Sequence, residues 1–268
     1  MQNKLSISII IPCADDLRVA QCIESIDENA EIIVVLNGPT EAIKNLIKKY
    51  FVKTYLIQER NLGAALNIGI QNATYDKVLL MDSDCVFKKG TIRLLYNGLN
   101  NFKLAKGKVI FEFNNFFNRI LAKAREYTTS DTPSAYKPPL ALKKSIIDDV
   151  EYFFDNDVHW TEDEDLDERV RAAKVSINFL PDAVIYHPPV TLKSDLRSAF
   201  RYGIGKRIRV EKKIAKGLGS DFPYLFDAIG KKGLLVGIYL FFWNIVYSLG
   251  YIFQILFDPY QVRVKFKQ

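Results

Sequence analysis

Four short apolar runs, each set off from the next by a segment with helical spacing, constrain the first third of this chain more than any other feature. Residues 5–11, 31–36, 52–58 and 78–81 are rich in Ile, Val and Leu, and the first two end in the breakers Pro12 and Asn37-Gly38-Pro39. The uninterrupted run 78–81 suits a strand covered on both faces, as in a parallel sheet. Between the four runs, apolar residues recur at helical intervals: Val19, Ile23 and Ile26, then Ile43, Leu46 and Ile47, then a third segment over 61–73. Asp15 or Asp16 is placed to cap the first of these helices. Strand alternating with helix predicts an α/β fold, a doubly wound and mostly parallel sheet with right-handed crossovers.

The fourth run stops at Asp82-Ser83-Asp84. In open α/β sheets the ligand crevice lies at the carboxyl ends of such strands. Two acids there suit a hard divalent cation that carries phosphates. They suit an ordinary turn equally, so the tripeptide alone leaves both readings open. Past Asp84, helices are expected over 91–102, 114–127 and 144–150, and strands over 105–113 and 139–142. Residues 128–139 form a polar, proline-containing loop. Thr161 is placed to cap an acidic helix whose apolar stripe is Leu166, Val170 and Ala173. Short strands over 175–180 and 183–186 lead to His187-Pro188-Pro189.

Composition narrows the classes of protein. With 49% hydrophobic and 25% charged residues the chain is globular rather than disordered. Its net charge of +6 suits nucleic acid, an anionic membrane or a phosphorylated substrate. Cys13, Cys22 and Cys85 lack metal-type spacing and read as reduced thiols of a cytosolic protein. The first apolar run is short and stops at Pro12, so no secretory signal is expected. From Lys193 onward, Leu196, Phe200, Ile204 and Ile208 recur among Arg197, Arg201, Lys206, Arg207, Arg209, Lys212 and Lys213. This basic amphipathic segment suits a membrane surface or a solvated face. Gly203 and Gly205 weaken it as a helix and suit a mobile loop. Residues 233–257 carry no charge, and as a helix they would reach about 37 Å against a bilayer core of about 30 Å. Gly233, Gly237, Asn244, Ser248 and Tyr251 make a small and polar stripe on it, with Gly233 and Gly237 permitting close helix approach. Basic flanks at Lys231 and Lys232 and at Arg263, Lys265 and Lys267 select no orientation. A membrane span, an interfacial helix and a soluble core or dimer helix all remain open. The cations cluster beside this tail, which disfavours nucleic acid as a partner.

Five pieces in order carry a resemblance: SIIIP; EIIVVLNGPT; ERNLGAALNIGIQNA running into LLMDSD; KPPLALKKSIIDDVEYF before WTEDEDL; and FLPDAVIYH. Over residues 5 to about 190 the chain resembles the family-2 glycosyltransferases of the GT-A fold. The resemblance implies a catalytic domain over 1–190, with a nucleotide-binding half to about 104 and an acceptor half over about 105–190. A basic segment would follow over 191–232, then a membrane-associating apolar helix and basic tail over 233–268. Asp82-Ser83-Asp84 resembles the family's D-x-D element, which holds Mn²⁺ or Mg²⁺ across the donor diphosphate. Asp84 is then the direct ligand, Asp82 sits nearer the ribose or the metal's waters, and His187 is the third ligand or a satisfied imidazole at a strand end.

Glu162-Asp163 resembles the E-D element, which makes Asp163 the general base of an inverting transfer, with Glu162 and Asp165 in support. Acids in a first helical turn also stabilise the dipole whatever their function. Glu164-Asp165 is a second E-D pair, and the pattern E-D-x-D-L selects the first. Pro12, Asn37, Arg60, Asn61, Asn67, Asp82 and Ser83 are the expected nucleotide residues, with Asn67 bracing the D-x-D turn. Asn37 stands where the family usually has an aspartate, so a UDP-sugar is favoured rather than fixed. Arg201, Lys206 and Arg207 are candidates to clamp the diphosphate, and Trp160 is an acceptor platform or a core residue.

The implied activity moves a sugar from a nucleotide donor to a hydroxyl of a glycan or lipid-linked saccharide. The place would be the cytoplasmic face of a membrane, peripheral or single-span, in polysaccharide or glycoconjugate synthesis, with a homodimer or membrane complex possible. The alternatives are a polyprenyl-phosphate glycosyltransferase and a non-catalytic GT-A-like assembly subunit.

Overall fold

The structure is a computed structural model that describes residues 4–130, 132–219 and 222–257. The basic residues Arg263, Lys265 and Lys267 of the expected tail lie outside the described residues. Strands β1 (Ile7–Cys13), β2 (Glu31–Asn37), β3 (Lys53–Ile57) and β4 (Lys77–Leu80) pair in parallel in the order β3-β2-β1-β4. Ile9, Ile10, Ile11, Val34, Val35, Leu79 and Leu80 are fully buried, so both faces of β1, β2 and β4 are covered, while β3 is a largely exposed edge. Helices α1 (Val19–Glu24), α2 (Glu41–Ile47) and α3 (Leu62–Asn72) make the crossovers. Thr40 caps α2, and Asn61 caps α3 by accepting the Ala64 N–H at 2.9 Å. Asp15 and Asp16 do not cap α1. Asp16 instead accepts the Arg18 backbone N–H at 2.9 Å and pairs with its guanidinium, and α1 begins at Val19 without a side-chain cap. On α3, Gly69 lies so close to Ile10 that a Cβ would collide with its side chain, which fixes the helix directly on β1.

The second half adds β5 (Val86–Phe87), α4 (Thr91–Gly98), β6 (Leu104–Phe111), α5 (Phe116–Thr129), β7 (Leu140–Lys143), α6 (Ile147–Val150), α7 (Glu162–Ala172) and β8 (Ile177–His187). They extend the sheet as β4-β7-β6-β8-β5, with β7 antiparallel to both its neighbours and β8 parallel to β6. The sheet is therefore mixed and has eight strands. The two strands expected near 175–186 are one: β8 continues through Pro181, and the ladder slips between Lys106 and Lys108 to accommodate it. Leu166 and Val170 anchor α7 on the same core as Leu66, Ile70 and Leu80.

Three helices follow: α8 (Leu192–Glu211), α9 (Phe222–Lys232) and α10 (Leu234–Leu256). The expected mobile loop at Gly203 and Gly205 is absent, because α8 runs through both. A Cβ at Gly203 would collide with the Tyr247 carbonyl, one at Gly205 would lie 2.5 Å from Thr161 Oγ1, and one at Gly250 would collide with the Phe200 carbonyl. Gly203 and Gly250 let α8 and α10 cross backbone to backbone, and Gly205 lets α8 approach the start of α7, gains that offset their weak helix propensity. The approach on α10 thus belongs to Gly250, while Gly237 faces Ile229 of α9 and Gly233 begins the helix at φ 103° with open space around it.

The basic face of α8 is also corrected. Arg209 is fully buried and pairs with Glu164 and, at 2.9 Å, Glu168; Lys206 reaches Glu168 at 3.3 Å; Lys212 pairs with Asp155. These three cations neutralise acids of α7 and its preceding loop.

Candidate active site

The end of β4 delivers Asp82 and Asp84 to the carboxyl edge of the sheet, and there the two part. Asp84 Oδ2 lies 3.5 Å from His187 Nε2, at the end of β8, and 3.5 Å from the Arg18 guanidinium. His187 Nδ1 is 2.7 Å from the Pro188 carbonyl oxygen. With its proton on Nδ1 donated to that oxygen, Nε2 keeps a lone pair towards Asp84, the arrangement a metal-ligating imidazole uses. Phe111 packs on the ring at 4.7 Å. Cys85 Sγ completes a group whose ligand atoms lie within 4.8 Å of one another. Burial pushes that thiol far up, so it stays protonated and offers little to a cation that prefers oxygen. The carboxylate of Asp84 and the imidazole of His187 fit Mn²⁺ or Mg²⁺ as two protein ligands. Asp82 turns the other way, its carboxylate 3.3 Å from Lys137 Nζ.

Lys137 is a residue that the sequence pattern did not single out. Its side chain is 6% exposed, and its ammonium also lies 3.5 Å from Glu162. It therefore ties the end of β4 to the first turn of α7. Burial by itself would lower the Lys137 ammonium, but Asp82, Glu162 and Asp163 outweigh it and hold the group cationic. Burial raises the Glu162 and Asp163 carboxyls, Lys137 pulls both back, and mutual repulsion with Asp82 adds to the rise. The pair ends above the ordinary carboxylate range. Behind it, the fully buried Lys106 of β6 donates to the carbonyl oxygens of Tyr136 at 2.6 Å and Pro138 at 2.8 Å, on either side of Lys137. Burial lowers Lys106 to about 7. The strand LAKGKVIF carries two lysines, Lys106 and Lys108, and nothing in its pattern marks Lys106 as the buried one.

Asp163 lines a cavity of about 470 Å³ together with Lys137, Trp160, Tyr202, Trp243 and Tyr247. Thr161 stands at the N-cap position of α7 but makes no cap hydrogen bond; Asp163 itself accepts the Glu164 N–H at 2.9 Å. Asp165 is turned into the protein, paired at 2.8 Å with Arg169, whose guanidinium also holds the carbonyls of Val150 and Phe153. It fastens α7 to the preceding loop rather than facing the cavity. Trp160 borders the Asp163 cavity and also a second one of about 170 Å³ formed with Asn37, Arg60, Gly63, His159 and Glu162. Its backbone is left-handed at φ 65°, a conformation rare for a bulky residue.

The remaining candidates divide. Asn37 Oδ1 accepts the Asn61 N–H at 2.7 Å, and Arg60 pairs with Asp15 at 2.7 Å. Asn67 does not brace the Asp82 turn: its amide donates to the Phe154 carbonyl at 2.8 Å and to Asn156 at 3.0 Å, holding the loop before α7. Asn61, besides capping α3, donates to the Asn156 carbonyl at 2.8 Å. Pro12 sits inside β1 opposite Val35, and Ser83 stays between the diverging acids. Of the proposed clamp, Lys206 borders the Asp163 cavity and Arg201 lies 5.9 Å from the Trp160 ring. Arg207 is engaged with Glu211 at 3.0 Å.

The fold is shared with solved structures. The crystal structure of S. aureus TarS 1-349 aligns with a TM-score of 0.56 at 16% identity, covering 82% of this chain and 67% of that one. A TarS crystal structure aligns at 0.54 and 16% identity, covering 76% and 39%. TarS 1-349 in complex with UDP aligns at 0.55 and 14% identity, covering 76% and 65%. This chain thus spans less than two thirds of the latter two. At these identities the likeness is one of fold, the GT-A architecture. A search of curated proteins finds no match. The sequence model described as "Glycosyl transferase family 2" matches residues 8–154. The chain belongs to that family and is a glycosyltransferase.

Proposed function

We propose that the protein transfers a sugar, with inversion, from a nucleotide donor to a hydroxyl of a glycan or lipid-linked saccharide. The donor favoured is a UDP-sugar, the cation is Mn²⁺ or Mg²⁺, and the site lies at the cytoplasmic face of a membrane in cell-surface polysaccharide or glycoconjugate synthesis. The observation that carries the reading is the placing of the Asp84–His187 pair and the Asp163 cavity on one sheet edge, with the Lys137 ammonium between Asp82 and Glu162, the neighbours of Asp84 and Asp163. A structural neighbour crystallised with UDP supports the choice of nucleotide.

In this reading the acceptor hydroxyl enters the cavity and Asp163 accepts its proton. The acceptor oxygen bonds to the anomeric carbon as the bond to the diphosphate oxygen breaks on the opposite side. A single displacement therefore inverts the centre. Asp84 and His187 would hold the cation, which would supply Lewis-acid stabilisation to the departing diphosphate. Lys137 offsets the charge of Asp82 and Glu162, and Trp160 separates the nucleotide side from the acceptor side. A buried base suits a hydroxyl, whereas an ionised phosphate acceptor has no need of one.

Thermal shift against a panel of nucleoside diphosphates, with and without Mn²⁺ or Mg²⁺, tests the donor half. The expected result is a metal-dependent shift, largest with UDP, and slow hydrolysis of the matching nucleotide sugar. No shift with any nucleotide would favour a non-catalytic binding subunit.

A further inference from the structure

Helix α10 presents two unlike faces. Inward, Gly250 crosses α8, Tyr239 bonds to Asp195, and Trp243, Asn244 and Tyr247 form one wall of the Asp163 cavity. Outward, Leu235, Ile238, Phe242, Ile245, Leu249 and Ile252 are 43–58% exposed. An apolar groove of about 300 Å³ runs along this side, between Leu225 of α9 and Ile245, Leu249 and Ile252 of α10. Asn244 borders both the groove and the Asp163 cavity. Its Nδ2 is buried without a hydrogen-bond partner, as is Trp243 Nε1 next to it. At the start of α10, Arg119, Lys123 and Lys232 gather around Phe116, Leu234 and Leu235.

We infer that the acceptor is an amphiphile, a hydroxyl-bearing head on a lipid, with its head in the Asp163 cavity and its apolar part in the α9–α10 groove. Helix α10 lies in the plane of the membrane interface and does not cross the bilayer. This rests on the transferase reading and narrows its acceptor to a membrane-borne one. From Val236 to Gln254 one face of α10 is buried on the protein, so lipid cannot surround the helix. A crossing would drag α8, with Arg197, Arg201, Lys206 and Arg207, into hydrocarbon. The cations beside Leu234 and Leu235 match anionic headgroups. The unpaired N–H donors of Asn244, at the junction of groove and cavity, and of Trp243, in the cavity wall, match sugar hydroxyls.

The full chain tests this with its own reporters, since its two tryptophans, Trp160 and Trp243, both line the Asp163 cavity. Against a panel of dodecyl glycosides below their micelle concentrations, at least one should change the fluorescence at a concentration about tenfold or more below that of its free sugar. Leu249→Glu should remove the advantage while keeping the nucleoside diphosphate thermal shift. Equal response to glycoside and sugar, or no response to any glycoside, overturns the inference. A retained nucleotide shift alongside either result leaves the transferase reading standing, and loss of that shift in the parent protein sinks the transferase reading instead. For the orientation, the three native cysteines are buried, so bimane can be placed at Leu235→Cys, Ile245→Cys and Ile252→Cys. In vesicles of phosphatidylcholine and phosphatidylglycerol, brominated lipids should quench all three at one shallow depth. A maximum depth at Ile245 would contradict the in-plane helix.

Discussion

Two pairs of carboxylates meet at one edge of the sheet, and their surroundings give them different work. Asp82 and Asp84 sit on the loop after β4 with side chains 33% and 24% exposed. They have different partners, the buried Lys137 for one and His187 with Arg18 for the other. Glu162 and Asp163 open α7, where Glu162 is 3% exposed and Asp163 looks into an aromatic cavity. Burial raises the second pair, and the Lys137 ammonium does most to hold the rise in check. A carboxylate left in water is a feeble base, while a desolvated one gains proton affinity near neutral pH. In the proposed mechanism the same functional group is a cation ligand in one place and a proton acceptor in the other, and surroundings make the difference.

The largest expected effect is on the deep pair. Asp163→Asn should lower turnover by about 10²–10⁴-fold, read by sugar transfer at saturating donor. On the shallow pair, Asp84→Asn should weaken metal-dependent nucleotide binding by about 10-fold or more, read by calorimetric titration. Lys137→Met probes the link between the pairs. Removing the cation lets the Glu162 and Asp163 carboxyls rise further, so the acidic limb of the pH–rate profile should move to higher pH, with activity regained on the alkaline side. The stability sign agrees. Carboxyls raised in the folded state contribute stability that is full below their unfolded values and is lost as pH rises through the folded ones. Denaturant titrations should therefore show Lys137→Met losing stability, relative to the parent, from acid to neutral pH. The smallest effect belongs to Arg18→Ala: its pair with Asp84 is half exposed and should change stability by less than about 1 kcal/mol.

Much of the first half was legible because one physical rule governs it. Strands buried on both faces must be unbroken apolar runs, and β1, β2 and β4 are. The 3.6-residue period likewise exposed α2, α3 and α7. What escaped depended on contacts between distant segments. Gly203 and Gly205 look like helix breakers until Tyr247 and Thr161 are seen against them. The cations of α8 look free until Glu164 and Glu168 face them. Lys137 carried no local signal, since its partners are 55 residues before it at Asp82 and 25 after it at Glu162. The strand β5 is only two residues long, too short for any periodicity.

A crossed titration tests the division of labour most directly. UDP, or whichever nucleoside diphosphate shifts melting most, is titrated with Mn²⁺ into Asp163→Asn and Asp84→Asn, and transfer is measured on the same samples. The account predicts that Asp163→Asn binds the nucleotide like the parent and transfers almost nothing, while Asp84→Asn loses the metal-dependent part of binding. Transfer at the parental rate by Asp163→Asn, or unaltered metal-dependent binding by Asp84→Asn, would contradict it.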